Sequence, residues 1–260
     1  MSTDASEGIF VTAGDGVLEV EIRRAAKRNA LTVAMYEGLT AALAEADRRA
    51  DVRVILLRGQ PEVFTGGNDL KDFLENPAPD DDHPAFRFVR AIAGTSKPIV
   101  AAVNGPCVGI GVTMLLHCDL VYAGQGAVLS LPFVNLGLCP EAGSSLILPL
   151  MMGHARAAEL LLLGEPFDAV TAASFGIVGR VVPDADVLAH ARAQARKLAL
   201  KPPAALRLSK SLMRRASREA LEETIDFEAM HFRERLESEE AKEAFAAFLE
   251  KRKPDFSRFS

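Results

Sequence analysis

The sequence predicts an α/β fold, and three observations carry that expectation. Apolar runs of strand length recur at residues 52–58, 99–103 and 119–123. Glycine-rich turns occupy residues 58–67, 104–111 and 136–143, each followed by residues of helical character. From about Gly153 onward the pattern is helical almost throughout.

In chain order, residues 18–22 alternate apolar and charged side chains, as a strand with one wetted face does. Residues 52–58 are nearly all apolar and 99–103 wholly so, which fits strands covered on both faces. A further run, 119–123, follows a helix. Strand, glycine turn and helix thus repeat, with a period too irregular for a solenoid to be read from sequence identity. Beyond Gly153, residues 154–164, 168–176, 185–200 and 219–250 read as helices, with a strand signal at 178–182. In the tail Phe227, Phe232, Phe245 and Phe248 stand among dense charge. That pattern suits a face packed either within the chain or against another subunit.

At 260 residues the chain can form one large domain, or a body with a smaller appendage. Its 30 basic and 35 acidic side chains leave a net charge of −5, which argues against a mainly electrostatic attachment to nucleic acid or an anionic membrane. With 49% hydrophobic and 25% charged residues it is neither disordered nor fibrous. Cys107, Cys118 and Cys139 make an odd count without CxxC spacing, so a reducing compartment is expected. Residues 1–10 lack a basic start and an apolar run, no apolar stretch approaches a membrane span, and residues 257–260 do not spell a peroxisomal address. A cytoplasmic protein is expected.

Several familiar signals fail. Gly105, Gly109 and Gly111 fit neither a dinucleotide fingerprint nor a P-loop. The five histidines lie far apart and none belongs to an H-E-x-x-H pair, so no metal site is expected. Ser144 and Ser145 lack the G-x-S-x-G elbow and read as the first turn of a helix. The acidic run at 80–82 is a solvated loop, and residues 74–84 could flex over a site.

Three segments together carry a resemblance. Residues 23–31, RRAAKRNAL, are similar to an R-P-x-x-x-N-A-L segment, with Ala25 where the proline would stand; residues 63–70, VFTGGNDL, resemble F-x-x-G-x-D-L; residues 103–123 resemble N-G-x-x-x-G-x-G followed by CD-hhYA. In that order and spacing they resemble the crotonase family, the enoyl-CoA hydratases and isomerases, from about Gly16 to Phe256. The resemblance implies a crotonase-like spiral of repeated β-β-α units over 1–200, a helical C-terminal trimerisation region over 201–260, an acyl-CoA thioester as substrate, and a homotrimer or dimer of trimers. No cofactor is implied beyond the coenzyme A of the substrate.

A thioester enolate needs preorganised donors where its negative charge develops, and main-chain amides freed by glycine turns supply them. The resemblance implies that the amides of Asn68 and Ile110 do so; the same glycines could also merely permit tight turns. Hydratases of the family divide acid and base work between two glutamates. Those positions fall here on Thr113 and Phe133, neither of which is a carboxylate. Glu141 stands instead where hydratases carry glycine, and with the NGPCVGIGVT segment it resembles the Δ3,Δ2-enoyl-CoA isomerases, especially the peroxisomal branch. One carboxylate suffices for isomerisation. Burial among Ile110, Phe133, Leu136 and Leu138 would raise it toward a useful pKa. The plainer alternative makes Glu141 a neighbour of a helix cap.

For the CoA moiety the resemblance implies contacts from Arg24, Ala26, Lys27, Gly67 and Asp69, and a pocket that includes Phe133 and Leu136. Lys27 and Arg28 are candidates for its phosphates. The tail, residues 248–256, implies Phe248 and Lys251 reaching a CoA on a neighbouring subunit, though a basic helix end explains Lys251 equally. Asp69 also fits a helix cap. Rival functions are hydration, another enolate reaction, or a non-catalytic acyl-CoA- or RNA-binding homologue; the presence of Glu141 stands against the last.

Overall fold

Five parallel strands form the spine of a computed structural model that describes residues 2–76, 80 and 82–259. They are β3 (Val17–Ile22), β4 (Val54–Arg58), β5 (Ile99–Val103), β7 (Leu120–Gly124) and β10 (Arg180–Val182). Two antiparallel strands, β1 (Ser2–Ser6) and β2 (Ile9–Gly14), complete a seven-stranded sheet of order β1-β2-β3-β4-β5-β7-β10. A second sheet joins β6 (Pro106–Val108), β8 (Val128–Ser130) and β9 (Phe167–Asp168). The strands expected at 18–22, 52–58, 99–103, 119–123 and 178–182 are all present. The β2–β3 hairpin was not anticipated, although Asp15 and Gly16 at φ +53° and +77° form the two-residue turn that an Asp-Gly pair favours.

The apolar runs are explained by two cores, one on each face of the sheet. Alternate side chains part company: Ile55, Leu57, Ile99, Ala101 and Val103 enter the main core, while Val54, Leu56, Val100 and Ala102 face the other way. On the main side lie α1 (Val33–Arg48) and α3 (Pro84–Gly94). The smaller core is closed by α8 (Val187–Ala199), whose Val187, Ala191, Ala195 and Ala199 make an i, i+4 stripe narrow enough to sit close on the sheet.

Short helices serve the turns: α2 (Leu70–Glu75), α4 (Ile110–Thr113), α5 (Ser144–Met152), α6 (His154–Ala158) and α7 (Ala169–Ser174). Of residues 74–84, positions 77–79 and 81 lie outside the described residues. After α8 come α9 (Pro203–Arg214), α10 (Arg218–Leu236) and α11 (Glu239–Glu250). The single helix expected over 219–250 is therefore two. Ser238 leaves helical backbone and accepts the Ala241 amide, so a serine followed by two glutamates starts a new helix. Among the described residues no helix is long and apolar enough to cross a membrane.

Candidate active site

Two glycine turns are laid side by side by Thr65. Its amide donates to Pro106 O at 3.1 Å and its carbonyl accepts from the Val108 amide at 3.0 Å, so residues 65–68 run along 106–110. Asn29, fully buried, fixes the first turn from beneath: its side-chain amide donates to the carbonyls of Ile22, Val63 and Phe64 at 3.0–3.1 Å. Thr65 Oγ1 donates to Asn29 O at 2.7 Å and accepts the Gly67 amide at 3.1 Å. The approach leaves no room for side chains. A Cβ on Gly111 would lie 2.5 Å from Thr65 Cγ2, and one on Gly67, at φ +89°, would lie 3.1 Å from Val108 O.

This geometry directs two amides away from secondary structure. In the parallel bridge between Leu31 and Asn68, Leu31 bonds Gly67 O and the Asp69 amide, which turns the Asn68 N–H toward the opposite side. Ile110 opens α4, so its N–H has no carbonyl one turn back, whereas the amides of Val112 and Thr113 are both bonded to Gly109 O. Neither the Asn68 nor the Ile110 amide has a main-chain acceptor among the described residues.

The carboxylate reaches the same place from the other direction. Glu141 is buried, and its Oε1 accepts the hydroxyl of Thr113, three residues after Ile110. Tyr36 of α1 donates its hydroxyl to Asn68 Oδ1, and burial, with a smaller effect of Glu141, pushes the Tyr36 phenol up. Burial, reinforced by the negative charge of Glu228 and opposed by the Thr113 hydrogen bond, pushes the Glu141 carboxyl up to about 8. Ile110, Phe133, Leu138 and Ala142 belong to the main core here, with Leu136 packed on it. The residue after the acid, Ala142, has φ +58°, a conformation that costs a residue with a Cβ about 1–2 kcal/mol.

Glu141, Asn68, Ile110, Gly67 and Phe133 thus gather at one locus; a Cβ on Gly109 would meet the Phe133 ring at 4.0 Å. The residues expected around CoA divide. Arg24 and Asp69 engage each other at 2.6 Å, Arg24 also donates to Ala30 O, and Asp69 caps α2 through the Asp72 amide. Ala26 and Lys27 sit exposed on a 3-10 turn, Ala25–Lys27. Phe248 and Lys251 are exposed at the end of α11, where Arg252 turns back to Glu243 at 2.5 Å. The sequence reading missed Asn29 as the brace of the turn and missed Glu228. The RNAL segment contained the first; nothing local marked the second.

Residues 12–258 match the family model described as enoyl-CoA hydratase/isomerase. "Enoyl-CoA delta isomerase 2" of Rattus norvegicus is 36% identical over 96% of this chain; the match takes in 65% of the rat protein, so this chain spans slightly under two thirds of that relative. A Bacillus subtilis protein named "Probable enoyl-CoA hydratase" is 35% identical over 88% of this chain and 90% of its own length. The solved structure of OdaA from Pseudomonas aeruginosa superposes with a TM-score of 0.92 at 50% identity, covering 94% of this chain and 99% of that one. The fold is the crotonase fold. Isomerase and hydratase names stand at nearly equal identity, so the residues of the site must decide between them.

Proposed function

The chain belongs to the enoyl-CoA hydratase/isomerase family, and from that premise we propose that it is a Δ3,Δ2-enoyl-CoA isomerase of fatty acyl-CoA metabolism. One observation carries the reading: the buried Glu141 carboxylate is bonded to Thr113, and Thr113 and Phe133 hold the two positions where a hydratase would need acids of its own. Addition of water requires a base and an acid to share the work; moving a double bond requires one group that does both in turn.

In this mechanism the Glu141 carboxylate removes a proton from C2 of a 3-enoyl-CoA. The electron pair spreads over the dienolate, and the charge on the thioester oxygen is met by the amides of Asn68 and Ile110. Protonated Glu141 then returns its proton to C4, leaving the double bond between C2 and C3. A carboxyl near 8 suits both halves of that cycle, since it is basic enough to accept and acidic enough to give back. No group beyond the coenzyme A of the substrate is called on.

The chain is further taken to assemble as a homotrimer or dimer of trimers. Supporting this, Leu208, Leu212 and Met213 of α9 are largely exposed, as is Phe248. Comparing the rates of 3-enoyl-CoA isomerisation and 2-enoyl-CoA hydration tests the assignment. Isomerisation is expected to exceed hydration by orders of magnitude; hydration as the faster reaction would overturn it.

A further inference from the structure

The turn bearing Glu141 is gripped by two side chains that the proposed chemistry leaves without a role. A single peptide group, Ala142–Gly143, is bonded at both ends: its carbonyl accepts from His117 Nε2 at 2.8 Å, and its N–H donates to Glu228 Oε2 at 2.6 Å. Glu228 Oε1 takes the Ser145 amide at 2.9 Å and also the Ser145 hydroxyl. Glu228 is 6% exposed and reaches in from α10, 85 residues along the chain from Gly143. Three donors converge on this carboxylate and favour its ionised form. A carbonyl only accepts, so the His117 proton is on Nε2.

The grip falls where the backbone most needs it. Ala142 and Gly143 are successive left-handed residues at φ +58° and +74°, and Gly143, the N-cap of α5, offers that helix no side-chain cap. The reach of Glu141 depends on how this peptide is turned. We propose that Glu228 and His117 are positioning residues that lock the Ala142–Gly143 peptide and thereby aim the Glu141 carboxylate. The inference rests on Glu141 being the proton carrier.

Burial pushes the Glu228 carboxyl up while its three donors hold it down, and in its ionised form its repulsion adds to burial in raising Glu141. The other groups facing Glu141 are neutral. Thr113 comes from α4; Tyr36 of α1 and Cys139 of the same loop are both pushed up by burial. Burial, with Arg214 and Lys210 nearby, pushes His117 down to about 4 despite its bond to Ala142 O, so it carries no charge near neutrality.

These differences set the experiment. Glutamate carboxyl 13C resonances are titrated in wild type and Glu228→Gln, with the Glu141 signal assigned by its loss in Glu141→Gln; kcat and KM for a 3-enoyl-CoA are measured alongside. In Glu228→Gln the Glu141 midpoint is expected to fall by about one unit and kcat by about 10–100-fold, with KM nearly unmoved. His117→Leu is expected to lose kcat comparably with an unmoved midpoint, and His117→Gln, which keeps a donor near Nε2, to recover most of it. An unmoved midpoint with wild-type kcat in Glu228→Gln overturns the proposal, as does wild-type kcat in His117→Leu. Should Glu228→Gln fail to fold, the two His117 variants decide. Full turnover in Glu141→Gln would instead sink the isomerase assignment, and the titration would still report whether Glu228 acts on Glu141.

Discussion

On one side of the site, residues 65–68 and 106–110 present main-chain amides; on the other, residues 139–145 present one side chain. The amides are aimed by neighbouring hydrogen bonds, chiefly those of Thr65 and Asn29, and would survive most changes of side chain that add no bulk. The acid is the reverse case. Its function resides in a carboxyl group whose strength comes from burial and from Glu228, and whose direction comes from a strained turn. One wall should therefore fail when a methyl group is added, and the other when a single oxygen is replaced.

The largest effect is expected from the smallest chemical change. Glu141→Gln should lower kcat by about 10²–10⁴-fold while acyl-CoA affinity by calorimetry stays within a few-fold, because shape is kept and only proton transfer is lost. Gly111→Ala probes the opposite wall. Its Cβ would press on Thr65 at 2.5 Å, displacing the Ile110 amide, so turnover should fall by about 10²-fold and chemical denaturation should show a loss of about 1–3 kcal/mol.

How much of this was legible in the chain depended on the range of the contacts. The strands at 52–58 and 99–103 were readable because two-sided burial demands continuous apolar residues, and Glu141 was readable because it breaks a glycine position within a recognisable segment. Asn29, His117 and Glu228 were not. Each acts on backbone groups far along the chain, and an isolated polar residue gives no periodic signal of a distant partner. The break at Ser238 was local and could have been read from its capping pattern.

A control lies outside both walls. Lys210 of α9, nearly buried, donates to Asp119 at 2.8 Å and to Lys97 O at 2.7 Å, tying the C-terminal helices to the loop before β7. Lys210→Met should cost about 1–3 kcal/mol in urea unfolding, since it removes one of the partners of the half-buried Asp119, while kcat of the folded protein changes little. The last effect concerns pH. The folded Glu141 carboxyl titrates near 8 against an ordinary 4.5, so the folded state holds an extra proton between those values and stability declines as pH rises across that window. Glu141→Gln lacks that decline. Its Tm advantage over wild type should grow from about pH 5 to pH 8 and then level off.

The most direct test of a single acid acting on both ends of an allylic system is turnover of a 3-enoyl-CoA in H2-18O, followed by mass spectrometry for wild type and Glu141→Gln. Expected is a 2-enoyl-CoA product free of 18O from the wild type and almost none from the variant. A labelled 3-hydroxyacyl-CoA as the main product, or undiminished isomerisation by Glu141→Gln, would contradict it.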